Sequence, residues 1–223
     1  YVLDRLNHSV TLESLPLQGQ LMSDSSHPAI SGDGRFLVHE TGDRVILRDR
    51  RDGFTHILGA GRQPAISLDG TIAAYTSDDP PGLRVWDLEA WSSTSIAEGL
   101  SVSPSVSGDG RYIAFAAAGA VWVHDRQLRT TDRIEPGWDP AISADGHHLA
   151  YVSTVQALAN VLVLDRRTGT IQCVSRSRNG GRANGASLNP VVSADGRRVA
   201  FQSEASNLVD DDDFNLLWDV FLF

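Results

Sequence analysis

One cysteine, Cys173, occurs among the 223 residues, so neither an internal disulfide nor a cysteine-built metal site is available. It lies in IQCVS, which reads as a strand, where a small buried thiol is the alternative to a reactive one. No run of about 18 apolar residues exists to span a bilayer, so no membrane insertion is expected. The opening YVLDRLNHSV lacks the basic and apolar regions of a signal peptide, and Tyr1 in place of Met suggests a processed or excised chain. Positive charge is also scarce. With 19 basic residues against 28 acidic ones the net charge is −9, which argues against nucleic acid as a partner. No segment carries helical periodicity, and no Gly-x-Ser-x-Gly nucleophile elbow is present.

What the chain does have is a repeat. PSVSGDGRYIAF from Pro104 to Phe115 recurs as PAISGDGRFLVH from Pro28, PAISLDGTIAAY from Pro64, PAISADGHHLAY from Pro140 and PVVSADGRRVAF from Pro190. In each copy the proline opens a short apolar strand, and Ser-x-Asp-Gly follows where a hairpin must turn. Glycine accepts the positive φ of such a turn, and Asp bonds the backbone two residues on. The hydroxyls and carboxylates of Ser31, Ser67, Ser107, Ser143 and Ser193 and of Asp33, Asp69, Asp109, Asp145 and Asp195 therefore read as turn chemistry, since a catalytic site needs one copy. The second strand alternates, with an Ala or Val beside an aromatic or His (Val38 and His39, Ala74 and Tyr75, Ala114 and Phe115, Ala150 and Tyr151, Ala200 and Phe201). This predicts sheets packed face to face, small positions receiving large neighbours.

A third strand ending in Asp follows at VILRD, LRVWD, VWVHD and VLVLD, then a polar turn and a fourth strand. Four strands in a unit of about 40 residues match a propeller blade. The prediction is an all-β fold, one domain over 1–223, a β-propeller of four-stranded antiparallel blades. Five copies favour five blades, with six or an incomplete ring as alternatives. YVLDRLNHSVTLES looks like a third and fourth strand, so pairing of N-terminal strands with the C-terminal blade should close the ring. The chain end, Asp219 to Phe223, reads as a rival third strand for that blade.

The repeat P-[AS]-[IV]-S-x-D-G-x-x-[ILV]-A-[FY], followed by a strand ending in Asp, resembles the TolB-type branch of β-propeller repeats, relatives of the WD-repeat propellers. The resemblance covers the chain from Tyr1 to Phe223. It implies a bacterial exported protein, periplasmic or extracellular, whose propeller binds a protein partner. Ser206-Asn207-Leu208-Val209 through Asp213, Asn215 and Asp219-Val220-Phe221 is similar to blades of bacterial arrays in this group.

Two places break the repeat. The residues before the five prolines are polar, His27, Gln63, Ser103, Asp139 and Asn189, and with Arg62 and Trp138 they should ring one mouth of the channel because first strands are innermost. A residue before proline is expected to be extended. Such a ring either faces water or holds a ligand, and loops on a rigid scaffold are where binding sits. The second place is Asp210 to Asp219, where Asp213, Asn215 and Asp219, with Asp211, have the spacing by which one loop wraps a hard cation such as Ca²⁺. The loop lacks the Gly and Glu of an EF-hand, and a solvated acidic loop is the alternative. No cofactor is expected beyond such an ion. Trp86 and Trp122 should pack, whereas Trp91 and Trp138 lie in connections.

Three functions compete. The first is a non-enzymatic module binding a protein, peptide or glycan at one rim. The second is a five-bladed glycosidase-like enzyme using Asp139 with Glu40 and Asp79, which would have to sit about 5–10 Å apart. The third is a fragment or designed subset of a longer array.

Overall fold

The computed structural model describes residues 1–14, 24–99, 101–156, 158–209 and 217–223. Regular structure there is all β. A two-stranded hairpin, β1 (Val2–Asp4) and β2 (Ser9–Thr11), comes first. The first blade is β3 (Ser25–Ile30), β4 (Phe36–Thr41), β5 (Arg44–Asp49) and the start of β6 (Thr55–Ile66). β6 runs on as the first strand of the second blade, with β7 (Ile72–Asp78), β8 (Pro81–Asp87) and β9 (Ser92–Glu98), joining both blades in a seven-stranded sheet. The third blade is β10 (Ser101–Val106), β11 (Tyr112–Ala117), β12 (Ala120–Asp125) and β13 (Thr130–Pro136). The fourth is β14 (Trp138–Ile142), β15 (His148–Gln156), β16 (Leu158–Asp165) and β17 (Thr170–Cys173). β18 (Ser187–Val192), β19 (Val199–Ser203) and β20 (Asp219–Leu222) form the last. Neighbours are antiparallel throughout, and successive first strands contact one another (β3 with β6, β6 with β10, β10 with β14, β14 with β18), which lines them along an axis.

The blades interlock as the alternating strands predict. Val38, Val45 and Leu47 of the first blade bury Ala73 and Tyr75 of the second. Ala74, Leu83 and Val85 receive Phe115 of the third, Ala114, Val121 and Val123 receive Tyr151 of the fourth, and Ala150 and Val161 receive Phe201 of the last. Each fully buried aromatic contributes about 1.5–3 kcal/mol by leaving water.

The Ser-x-Asp-Gly stretches are the inner hairpins. In all five, the serine hydroxyl donates to the Asp carboxylate at 2.5–2.7 Å and accepts the N–H that starts the second strand at 2.9–3.0 Å. The turn glycines have φ between +67° and +74°, a region other residues enter at a cost. The Asp ending each third strand caps the outer turn: Asp49, Asp125 and Asp165 each accept two N–H groups. Asp4 does the same for Leu6 and Asn7, which identifies β1 and β2 as a third and fourth strand.

Closure by the N-terminal strands is not what the sheets show. Among the described residues β1 and β2 pair with each other and with no other strand, and the third-strand slot of the last blade is filled by β20. Phe221 stacks on Phe201 with centroids 5.8 Å apart, and Val199 and Phe223 exchange backbone bonds of 2.8 and 2.9 Å. The N-terminal hairpin is tied to the first blade instead. Glu13, only 6% exposed, accepts from Arg50 at 2.8 Å and lies 3.6 Å from Arg48. Burial alone would raise the Glu13 carboxyl, but hydrogen bonds from Arg50 and Thr11 and both guanidinium charges bring it below its ordinary value.

Candidate functional site

The five residues before the repeat prolines are left-handed, not extended. His27, Gln63, Ser103, Asp139 and Asn189 have φ between +47° and +54°. The local pre-proline rule loses to a β-bulge, because each first strand shifts register against its partner across this position. Proline has no N–H to lose there, and the residue before it turns its own N–H out of the ladder. Non-glycine residues held so cost of order 1–3 kcal/mol each and gather at functional sites.

Four of the five, with Glu40, form one polar chain. His27 Nδ1 lies 3.1 Å from Glu40 Oε2, and the Gln63 N–H donates to Glu40 Oε1. The Ser103 N–H donates to Gln63 Oε1 at 3.1 Å, and the Ser103 hydroxyl donates to Asp139 Oδ1 at 3.1 Å. Asn189 stands apart and donates to Gln202 at 2.9 Å. Arg62 turns to the surface and pairs with Asp78 at 2.6 Å. Trp138, next to Asp139, walls a cleft of about 380 Å³ with Ala117, Ala118, Gly119, Pro136 and Thr154. The polar chain and the apolar cleft are linked through consecutive residues, Asp139 and Trp138, at the start of β14.

Asp211, Asp213 and Asn215 lie outside the described residues. Asp219 opens β20 opposite Ser203. Among the described residues no three His, Cys, Asp or Glu side chains gather as a metal site would require. Of the carboxylates of the glycosidase reading, Glu40 stands on the first blade and Asp139 on the fourth, with Gln63 and Ser103 of the two intervening blades linking them, and Asp79 is exposed in the turn before β8. Trp86 and Trp122 pack and donate to the Leu58 and Ala117 carbonyls at 3.2 and 3.0 Å. Trp91 is 48% exposed against His56, centroids 4.7 Å apart. Gln202 was not foreseen, and Glu40 was foreseen only as a carboxylate. Both occupy the second-strand position where the other copies have Thr76, Ala116 and Val152, and that variation was the available signal.

No protein-family model matches the sequence, and no curated protein matches it. Solved structures do. A structure titled putative TolB from Agrobacterium tumefaciens is similar at 16% identity, covering 90% of this chain and 76% of that one, with a TM-score of 0.68. TolB from Acinetobacter baumannii is similar at 16% identity and a TM-score of 0.60, covering 83% of this chain, which spans about half (53%) of that protein. The β-propeller domain of the Trilobed protease from Pyrococcus furiosus, described as having an open velcro topology, is similar at 13% identity and a TM-score of 0.65, covering 91% and 69%. The fold of this chain is therefore that of a TolB-type β-propeller.

Proposed function

We propose that this chain is a non-enzymatic recognition module that binds an extended segment of a partner protein at the channel mouth carrying Gln63, Ser103, Trp138 and Asp139. The observation that carries the reading is the polar chain from Glu40 to Asp139, whose last member directly follows Trp138, a wall of the apolar cleft. A peptide main chain offers alternating donors and acceptors to such a row, and its side chains offer the apolar flank that Trp138 takes. The similar TolB structures support a periplasmic or extracellular setting as part of the same proposal.

Panning a random displayed-peptide library on the chain tests it. Enriched peptides are expected, with affinity falling at least about tenfold in both Trp138→Ala and Asp139→Asn, the loss of one central interface side chain being worth over 1 kcal/mol. Peptides that bind both variants as well as the parent would overturn the site. Failure to enrich any peptide, alongside capture of oligosaccharides on a glycan array, would overturn the peptide ligand.

A further inference from the structure

A second cavity, away from the channel mouth, opens between the third and fourth blades. It holds about 300 Å³; its polar lining is Glu135, Tyr151, Ser153, Asn160 and Arg176, and its softer lining is Leu162, Ile171 and Cys173. Tyr151 and Ser153 are two residues apart on β15 and so share a face. They are 0% and 1% exposed, yet neither hydroxyl has a hydrogen-bond partner among the described residues. Buried polar groups are nearly always paired, and two orphans in one cavity call for an occupant.

The cause is visible one interface earlier. Tyr75, the equivalent of Tyr151, donates to the Leu58 carbonyl at 3.0 Å. Its hydroxyl passes over Gly59, where a Cβ would come within 2.2 Å of it. In the third blade the residue at the place of Gly59 is Glu135, paired one residue before Pro136 as Gly59 is before Ala60. A side chain there denies Tyr151 the same route to the backbone. The freed hydroxyl faces space walled by Leu162, Ile171 and the half-buried Cys173. Burial, and secondarily the Glu135 charge, push the Tyr151 phenol up to about 12, so it stays protonated and acts as a donor. Glu135 and Arg176, which also lines the cavity, put one charge of each sign at its wall, so the space favours neither an anion nor a cation.

We infer that the cavity between the third and fourth blades is a binding site for a small neutral molecule that has an apolar, planar body and a carbonyl or amide oxygen accepting from Tyr151 and Ser153. The size suits a fragment of about ten heavy atoms, at the low end of ligand pockets. The site is independent of the channel mouth, since it shares no residue with the polar chain.

Cys173 lines the cavity and is the single cysteine, so its alkylation reports occupancy. The rate of Cys173 modification by iodoacetamide would be followed by mass spectrometry with benzamide as the probe, and with benzoate and toluene as charged and acceptor-free controls. Benzamide is expected to slow alkylation at least about fivefold at millimolar concentration, with weaker protection by the controls. Tyr151→Phe should abolish the difference between benzamide and toluene without lowering the melting temperature, since removing an orphan hydroxyl is neutral or stabilising. Ile171→Trp, at an exposed position, should protect Cys173 without any probe. Equal protection by benzamide and toluene, or benzamide protection that survives Tyr151→Phe, would overturn the inference. So would the absence of protection, which would mean that ordered water alone satisfies the hydroxyls.

Discussion

The two ends of the channel are stitched in different ways. At the hairpin end the links between blades are main chain: Gly32 N–H to the Leu68 carbonyl at 2.7 Å, Asp69 N–H to Gly108 at 3.0 Å, Gly108 N–H to Ala144 at 2.8 Å and Ala144 N–H to Ala194 at 3.1 Å. At the opposite mouth the links are made by side chains, Glu40 to Gln63, Gln63 to Ser103 and Ser103 to Asp139. A backbone stitch uses groups that every residue carries, so it is copied from blade to blade even where Leu68 stands in place of Gly or Ala. A side-chain stitch depends on which residue each blade carries. The hairpin end is where the repeat holds the ring sector together, and the mouth is where the sequence is released from the repeat.

Substitutions at the two ends sharpen that contrast. The largest effect on stability is expected at the hairpin end from Gly110→Ala. Gly110 has φ +67°, and an added Cβ would lie 2.3 Å from Ile72 Cγ1. Backbone strain and overpacking together should cost about 3 kcal/mol, seen as a fall of roughly 10 °C in Tm, while the affinity of mouth-selected peptides is unchanged in the folded protein.

Next comes Asp125→Ala. The Asp125 carboxylate accepts from Arg111 at 2.8 Å and from the Gln127 and Leu128 N–H groups at 2.9 and 3.1 Å, and its loss should cost about 2 kcal/mol. Hydrogen bonding from Arg111 is the chief reason that its carboxyl sits below the ordinary 3.8. A depressed folded pKa means the unfolded chain binds the proton first as pH falls. The stabilisation is thus complete above pH 3.8 and is lost as acid carries the pH down through the folded value. Denaturant melts of parent and variant should differ by a constant amount at neutral pH and converge in strong acid. A gap that widens on acidification would contradict the role given to Arg111.

The smallest effect on stability is expected at the mouth. Ser103→Ala removes the hydroxyl link to Asp139 from a half-buried site and should cost less than about 1 kcal/mol, yet weaken selected peptides severalfold. Urea melts and peptide titrations on one preparation would show whether stability and binding separate in this way.

The fold was legible because its determinants are local and repeated. Ser-x-Asp-Gly specifies the inner hairpin, and the alternation of Ala74 with Tyr75 or of Ala114 with Phe115 specifies which faces interlock. The polar residues before each proline were legible as a group because they vary where their neighbours do not. Their left-handed backbone was not, since it comes from a bulge between paired strands and the local preference of a pre-proline residue points the other way. The strand that completes the last blade was encoded at both chain ends, and only packing decides it: Phe221 finds Phe201, while Glu13 finds Arg50. The Tyr151 cavity escaped the sequence reading because it arises from Glu135 standing where the second interface has Gly59, a relation between different blades.

The central claim, that the side-chain-stitched mouth is the recognition end, is tested most directly by mapping amide chemical-shift changes when a selected peptide binds the ¹⁵N-labelled chain. The account predicts shifts at Gln63, Ser103, Trp138 and Asp139, with the hairpin amides of Gly32, Asp69, Gly108 and Ala144 unmoved. Shifts concentrated on those hairpin amides, with the mouth unperturbed, would contradict it.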